Sequence, residues 1–287
     1  MTTFGSNLFS NGSESPRHIT EESTHQMTAE MPNDMMPAMK SAAEALEQLQ
    51  AGNNRFTSGL SDYDPSLNAV QRSQLLDTQT PFAVVLGCSD SRVPVEMVFD
   101  QGFGDLFVIR VAGNVVASSQ IASVEFAAEA FGVALVVVMG HTNCGAINAT
   151  IDALTDSPDK DLGNLRSIVD RIRPAVENLM NLGLSDTDLA QQAVRSNARI
   201  SVNSLRHGSQ ILERLCEDDK LVIVAAEYCL ETGKVDFFDG VPSGANNSAI
   251  LAAQHQSGIP GYGLLIKLGG KIRQFGIAIA RMLHIHK

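Results

Sequence analysis

Several features that would set the class of this protein are scarce in its sequence. The 287 residues include four cysteines and no tryptophan, and 21 Lys and Arg stand against 32 Asp and Glu, a formal net charge of −11. So few cysteines give no sign of a disulfide framework. The acidic balance argues against a nucleic-acid partner. What remains is a chain of ordinary hydrophobic content, 44%, long enough to bury a substantial core.

The start of the chain also lacks the signs of a targeting segment. Residues 1–37 are rich in Ser, Thr, Asn, Glu and Met and show no sustained hydrophobic periodicity, which predicts a disordered leader. They have no basic start and no apolar core, so they match neither a secretory signal nor a transit peptide. A cytoplasmic location is therefore expected.

Two continuous apolar runs are typical of strands in a parallel sheet that is covered on both faces. They span residues 82–87 and 135–140, and they are followed directly by Cys88 and by His141. The carboxyl ends of parallel strands meet at one edge of a sheet, where ligands bind. We therefore expect these two side chains to meet there. The glycine that ends each run is expected to allow a sharp turn or a close approach to a metal.

Cys88, His141 and Cys144 have the chemistry of a catalytic zinc site. Two thiolates and one imidazole make three protein ligands, which leaves the fourth position of a tetrahedral zinc open for water. A structural site would close itself with a fourth Cys or His, but only His141 and Cys144 form a short pair here. The other two cysteines, Cys216 and Cys229, are expected to be small buried hydrophobic residues.

An acid–base pair follows the first cysteine in the segment Cys88-Ser-Asp90-Ser-Arg92. Arg92 lies close enough in sequence to pair with Asp90 and to hold its carboxylate ionised and oriented. The alternative is an ordinary surface salt bridge.

These two motifs, Cys-x-Asp-x-Arg and His-x-x-Cys, resemble those of the β-class carbonic anhydrases. The resemblance extends to residues 45–56, 104–114 and 230–236 and covers about residues 38–240. It implies an α/β catalytic domain over 38–240 with a mostly parallel β-sheet flanked by helices. It also implies Zn²⁺ as cofactor, reversible hydration of carbon dioxide to bicarbonate and a proton, and Asp90 and Arg92 as the catalytic dyad.

The resemblance implies more about the site and the assembly. Gln79, Phe107 and Gly145 match substrate-binding positions, and Asp90 can become a fourth zinc ligand in the closed state that some members adopt. A homodimer or a higher even-numbered homo-oligomer is expected, with the N-terminal helix packed on a neighbouring subunit.

Gln79 and Phe107 favour the plant-like subgroup of the family, although Phe126 stands where that subgroup often has tyrosine. The regulated subgroup builds a non-catalytic bicarbonate pocket with a tryptophan three residues before the first cysteine. This chain has Val85 there. Arg110 matches another residue of that pocket, and its alternative role is structural pairing.

Helical patterns accompany the strands. Residues 39–56 fit an amphipathic helix ending near Gly52, and a second helix precedes Gly132. Residues 186–216 predict one helix or a pair of helices before a strand over 221–226.

The end of the chain differs from the rest. Residues 241–263 read as a Gly/Pro linker, and residues 264–287 carry five Lys or Arg and no acid on an amphipathic helical pattern. This helix has three candidate partners: the acidic surface of the chain's own subunits, a partner protein, or a membrane surface, which would add compartment or membrane association to the cytoplasmic location.

Two alternative functions remain open from the sequence. Carbon disulfide or carbonyl sulfide hydrolysis uses the same zinc site in a few relatives, and the shape of the pocket would decide between the substrates. An inactive zinc-stabilised scaffold is the non-enzyme alternative.

Overall fold

The computed structural model describes residues 39–62, 68–155 and 161–242. Within them a five-stranded sheet has the order β2-β1-β3-β4-β5. Its strands are β1 (Ala83–Gly87), β2 (Leu106–Arg110), β3 (Leu135–His141), β4 (Val222–Tyr228) and β5 (Val235–Asp239). β5 pairs antiparallel with β4, and the other pairs are parallel. The prediction of an α/β protein with a mostly parallel sheet is confirmed.

Helices follow most of the strands along the chain. They are α1 (Ala42–Ser58), α2 (Asn68–Gln74), α3 (Val95–Val98), α4 (Ser118–Phe131), α5 (Gly145–Thr155), α6 (Arg166–Met180), α7 (Asp186–His207) and α8 (Gln210–Glu217). The predicted helix before Gly132 is α4, and the 186–216 segment is a pair, α7 and α8. Among the helices of the described ranges, none is long and apolar enough to cross a membrane.

Both faces of the sheet are buried under helices. One face packs against α1 and α3 through residues such as Leu49 and Phe99. The other packs against α4, α7 and α8, where Val124, Leu205 and Leu212 are fully buried. Burying one such side chain contributes about 1.5–3 kcal/mol relative to exposure. Every residue of β1 and β3 is buried, because both faces of these strands are covered, and this explains their continuous apolar runs.

The predicted end of α1 near Gly52 is wrong. A capping box between Ser41 and Glu44 starts the helix, and the left-handed Gly59, with φ 67°, ends it. Gly52 lies inside the helix because α1 passes very close to the segment after α3. A Cβ atom at Gly52 would lie 1.8 Å from the carbonyl oxygen of Phe99. The glycine therefore serves close packing and does not stop the helix.

Gly87, the last residue of β1, and Gly140, which directly precedes the last residue of β3, do not make sharp turns. Neither is among the residues with positive φ. A Cβ atom at Gly87 would lie 3.3 Å from the side chain of Val95, and one at Gly140 would lie 2.9 Å from that of Val194. These glycines let α3 and α7 approach the sheet.

Three predicted segments lie outside the described residues: the leader over 1–37, the linker from residue 243 onward, and the amphipathic helix over 264–287.

Candidate metal centre

The two central parallel strands bring three metal-binding side chains together. Cys88 directly follows β1, His141 is the last residue of β3, and Cys144 directly precedes α5. β1 and β3 are hydrogen-bonded neighbours, with Gly87 in register with Met139, so their carboxyl ends lie at the same edge. The ligand atoms of the three side chains all lie within 4.8 Å of one another, and all three residues are buried. This group can hold a metal ion.

The hydrogen bonding of His141 fits metal binding. Its Nδ1 lies 2.9 Å from the carbonyl oxygen of Thr142, which requires Nδ1 to carry the proton. The lone pair is then on Nε2, which is buried and has no hydrogen-bond partner within residues 39–62, 68–155 and 161–242. An orphaned buried nitrogen is costly unless something binds it. Because Nε2 faces two sulfur atoms, a metal ion that favours thiolate and imidazole ligands satisfies it.

The sulfur atom of Cys88 is set up as a thiolate. Its pKa lies well below the ordinary value, chiefly because Cys144 donates a hydrogen bond to it, with smaller lowering contributions from neighbouring His141 and from the N–H of Gly113. The distance from Gly113 N to Cys88 Sγ is 3.3 Å. The pKa of Cys144 is raised in turn, since it shares its proton with Cys88. A metal ion would take the place of that shared proton, as the ligand form of cysteine is the thiolate.

Asp90 and Arg92 form a bidentate pair beside this cluster. Arg92 Nε donates to Asp90 Oδ1 at 3.0 Å and Nη2 donates to Oδ2 at 2.8 Å, while the backbone N–H of Arg92 donates to Oδ1 at 2.9 Å. Hydrogen bonds from Arg92 hold the pKa of Asp90 well below its usual range. Oδ2 lies 3.8 Å from His141 Nε2. An ionised carboxylate therefore borders the three candidate ligands.

Arg110, at the end of β2, holds the backbone of the same loop. Its Nε donates to the carbonyl oxygen of Cys88 at 3.0 Å, and its Nη2 donates to that of Asp90 at 2.5 Å. Of the two roles that the sequence left open for Arg110, this geometry is that of structural pairing.

The predicted substrate-binding residues are placed differently. Gly145 is the exposed first residue of α5, next to Cys144, and a Cβ atom there would meet nothing within 4 Å. Gln79 is exposed and precedes β1, whereas Cys88 follows it. Phe107 is paired with Val84 in the sheet and packs against other phenylalanines. Within one chain, the structure brings only Gly145 to the cluster.

Sequence reasoning missed the contribution of Gly113. It lies in a 3-10 turn over Ala112–Asn114, which we call the Gly113 turn. The segment 104–114 carries a family resemblance, but a backbone N–H leaves no signal in a sequence. The mostly parallel sheet and the sulfur- and imidazole-lined cluster at its carboxyl edge define an α/β protein with a group of side chains that could hold a metal ion.

Comparisons with known proteins identify the family. The sequence model of the family described as "Carbonic anhydrase" matches residues 83–235. Carbonic anhydrase 2 of Mycobacterium tuberculosis is 38% identical over 198 residues, which are 69% of this chain and 93% of that protein. The structure of the β-carbonic anhydrase CcaA is 26% identical with a TM-score of 0.54 and covers 68% of this chain and 95% of its own. The fold is also that of a structure from the study of two tetrameric β-carbonic anhydrases of Sordaria macrospora, at 19% identity and a TM-score of 0.55, over 68% of this chain and 96% of that one.

The chain therefore belongs to the β-class carbonic anhydrases. It is an enzyme, a lyase of the kind that interconverts carbon dioxide and bicarbonate. These comparisons favour neither the sulfur-substrate hydrolase nor the inactive scaffold.

Proposed function

We propose that this carbonic anhydrase uses zinc, held by Cys88, His141 and Cys144, and that Asp90 and Arg92 form its proton-handling pair. The observation that carries the proposal is the buried Cys-His-Cys group, in which Nε2 of His141 has no hydrogen-bond partner among the residues that the structure describes. Zinc there would supply a Lewis acid that makes water ionise near neutral pH. The remaining chemistry depends on the side chains around it.

The hydrogen bonds of Asp90 support its role. A carboxylate has about four acceptor sites. Arg92 fills two on Oδ1, through its backbone N–H and Nε, and one on Oδ2, through Nη2. The site left over is on Oδ2, the oxygen that lies 3.8 Å from His141 Nε2. Asp90 would therefore accept one hydrogen bond from the reacting water at Oδ2 and orient it toward carbon dioxide.

Arg92 would keep Asp90 ionised and turned away from direct metal binding. As a fourth ligand, Asp90 would have to give up the bidentate pair in which the structure holds it. We propose the paired, open arrangement as the resting form, with the closed form reached when Arg92 releases the carboxylate.

Zinc content and carbon dioxide hydration test the proposal together. Purified protein should contain about one zinc per chain and hydrate carbon dioxide in a stopped-flow assay. Cys88→Ser and Cys144→Ser should lose both, since each removes one of three protein ligands. Cys216→Ser is the matched control, because Cys216 lies outside the cluster. Full zinc occupancy in both ligand variants would contradict the assignment.

A homodimer or higher even-numbered oligomer is the proposed assembly. Gln79 and Phe107 lie away from the cluster in their own chain, so contact with bicarbonate would require a second subunit. An exposed aromatic surface supports this. Phe126 is 55% exposed and its ring lies 6.2 Å from that of Phe107, which is on the edge strand β2. Light scattering of wild type and Phe126→Asp would show whether this surface joins subunits.

The plant-like subgroup, the cytoplasmic location and the role of residues 264–287 are also proposals. The basic and apolar composition of this segment supports binding to an acidic surface. Removing it should change assembly or cell fractionation and leave zinc content and hydration rate nearly unchanged. Collapse of catalysis with unaltered assembly and fractionation would assign the segment to the active site instead.

A further inference from the structure

Two buried polar side chains of α7 have no part in the chemistry described above. Asn197 and Ser201 are 1% and 2% exposed and lie one helical turn apart, so they share one face of α7. Asn197 Nδ2 donates to the carbonyl oxygen of Gly113 at 2.7 Å, and Ser201 Oγ donates to that of Asn114 at 2.9 Å. One face of α7 therefore holds two successive carbonyl groups of the Gly113 turn.

The Gly113 turn has a conformation that needs such support. Gly113 and Asn114 both have positive φ, 69° and 43°. Two consecutive left-handed residues are uncommon and persist where the surroundings impose them. A Cβ atom at Gly113 would also lie 2.7 Å from Ile172 Cδ1, so the turn is pressed closely against α6.

What this conformation achieves is visible at Gly113 itself. With its carbonyl group turned to Asn197, its N–H points to Cys88 Sγ at 3.3 Å. The next residue, Asn114, is tied back by its own N–H to Val111 O at 2.9 Å. Two side chains of α7 and one backbone hydrogen bond thus fix the turn, and the N–H of Gly113 is aimed at the sulfur atom of Cys88.

We propose that Asn197 and Ser201 are positioning residues, which hold the N–H of Gly113 on the sulfur atom of Cys88 and so set how strongly this ligand donates charge to the metal. The inference rests on the proposed function, in which Cys88 binds zinc. A thiolate that accepts a hydrogen bond gives less charge to its metal, and a metal with two thiolate ligands depends on such bonds to remain a strong Lewis acid.

The test compares variants of α7 that keep or lose the hydrogen bonds to the Gly113 turn. Ser201→Ala removes the hydroxyl group with little change in volume, and Asn197→Leu removes the amide with nearly constant shape. Ser201→Thr keeps the hydroxyl group and should restore wild-type behaviour. Ser204→Ala is the matched control, because the Ser204 hydroxyl donates to Ile200 O within the same helix.

Two measurements, made on full-length protein, separate a positioning role from a merely structural one. The first is zinc affinity by competition with a chelator, which should fall about 10-fold or more in Ser201→Ala and in Asn197→Leu, because the sulfur atom of Cys88 then loses the donor that orients it toward the metal. The second is the absorption of the cobalt-loaded protein, whose sulfur-to-cobalt charge-transfer band should move to longer wavelength as the thiolate becomes more electron-rich. Circular dichroism verifies folding, and Ser201→Ala carries the test by itself if Asn197→Leu does not fold.

The outcomes distinguish this inference from the function on which it rests. Wild-type affinity and an unchanged cobalt band in Ser201→Ala would overturn the inference and leave the zinc site intact. An equal change in Ser204→Ala would overturn it as well, since the effect would then belong to the helix as a whole. A wild-type cobalt spectrum without any thiolate band would overturn the ligand assignment itself and, with it, this inference.

Discussion

Two aspartates on either side of α3 each pair with arginine, and only one of them borders the metal centre. Asp90 receives side-chain hydrogen bonds from Arg92, and its carbonyl oxygen accepts from a second arginine, Arg110. In Asp100 the carboxylate and the carbonyl oxygen both accept from one arginine of α1. Arg55 Nε donates to Oδ2 at 2.6 Å, and its Nη2 donates to the carbonyl oxygen at 3.3 Å. The same residue types therefore form a local pair in one loop and a long-range tie in the other.

The surroundings of the two carboxylates decide their roles. The side chain of Asp100 is 2% exposed; its Oδ2 accepts from Arg55 and from the N–H of Asp62, and its Oδ1 accepts from the hydroxyl of Ser61. Although burial acts to raise its pKa, the hydrogen bonds from Ser61 and Arg55 lower it. The Asp90 side chain is 17% exposed, and Oδ2 faces His141. What distinguishes Asp90 is therefore its partial exposure and the direction of Oδ2 toward the candidate metal ligands, whereas Asp100 is enclosed away from them.

Asp90→Asn should produce the largest effect of the comparison. The hydration rate should fall by about 10²–10⁴-fold, because the amide cannot both face Arg92 and accept a proton at the position of Oδ2. Zinc content should stay at the wild-type level, since Asp90 is not one of the three ligands. Stopped-flow assays with metal analysis measure both quantities.

Arg92 offers a graded control for that experiment. Arg92→Lys keeps the positive charge and loses the bidentate geometry, so its rate should lie between those of wild type and Asp90→Asn. Arg92→Ala should lose activity or let Asp90 bind the metal. A wild-type rate in Asp90→Asn would remove Asp90 from the mechanism.

Asp100→Asn should reverse the pattern, with stability lost and catalysis kept. The free energy of unfolding should fall by about 1–3 kcal/mol, because an amide N–H₂ would face one of the donors that the carboxylate now accepts from. The rate constant kcat of the folded protein should not change, since Asp100 holds α1 against the end of α3 and touches none of the ligands. Urea unfolding and stopped-flow assays give the two values. A loss of kcat comparable to that of Asp90→Asn would show that the two pairs are not separate.

Acid should remove the stabilisation by Asp100 in a defined direction. Its pKa is lowered on folding, so its contribution is fully present above the pKa of an unfolded aspartate, about 3.9, and is lost as pH falls through the lower folded value. The difference in unfolding free energy between wild type and Asp100→Asn should therefore be constant from pH 7 to about pH 5 and shrink at lower pH. Urea titrations at several pH values measure it. A difference that grows in acid would mean that another group is responsible.

The pair of Asp90 and Arg92, whose partners are close in sequence, could be predicted from the sequence. Asp90, Arg92 and the three ligands lie in two short motifs that follow buried strands, so periodicity and ligand chemistry were sufficient to place them. Long-range ties left no such pattern. The bond from Asn197 to Gly113 spans 84 residues and that from Ser201 to Asn114 spans 87. No sequence motif links such positions.

The fold shows the same division. β1, β3 and α4 were predicted because short stretches of sequence indicate them: continuous apolar runs for the two strands, and a helical pattern that ends at Gly132 for α4. The continuation of α1 through Gly52 was not, because it depends on the approach of Phe99 O in the folded chain. α6, with Pro174 inside it, was not predicted at all. Gly87 and Gly140 were predicted to allow a sharp turn or a close approach to a metal. In the structure they lie against Val95 of α3 and, from a distant part of the chain, Val194 of α7, and no sequence pattern marks either contact.

Inhibition by bicarbonate tests whether Arg110 stays bound to the loop that carries Asp90, and the expected change in the inhibition curve is the smallest effect of the series. Arg110 is bound to the carbonyl oxygens of Cys88 and Asp90, and the position three residues before Cys88 is a valine, so a second anion finds neither a free guanidinium nor an indole there. Inhibition of wild type should follow a simple hyperbolic curve, measured as initial rates against bicarbonate concentration at constant ionic strength. Arg110→Lys should change the rate by loosening the loop and leave the shape of the curve hyperbolic. A sigmoidal wild-type curve that becomes hyperbolic in Arg110→Lys would show that Arg110 leaves the two carbonyl oxygens to bind bicarbonate. The hydrogen bond from Arg110 to Asp90 would then be reversible, in contrast to the lasting pair of Asp100 and Arg55.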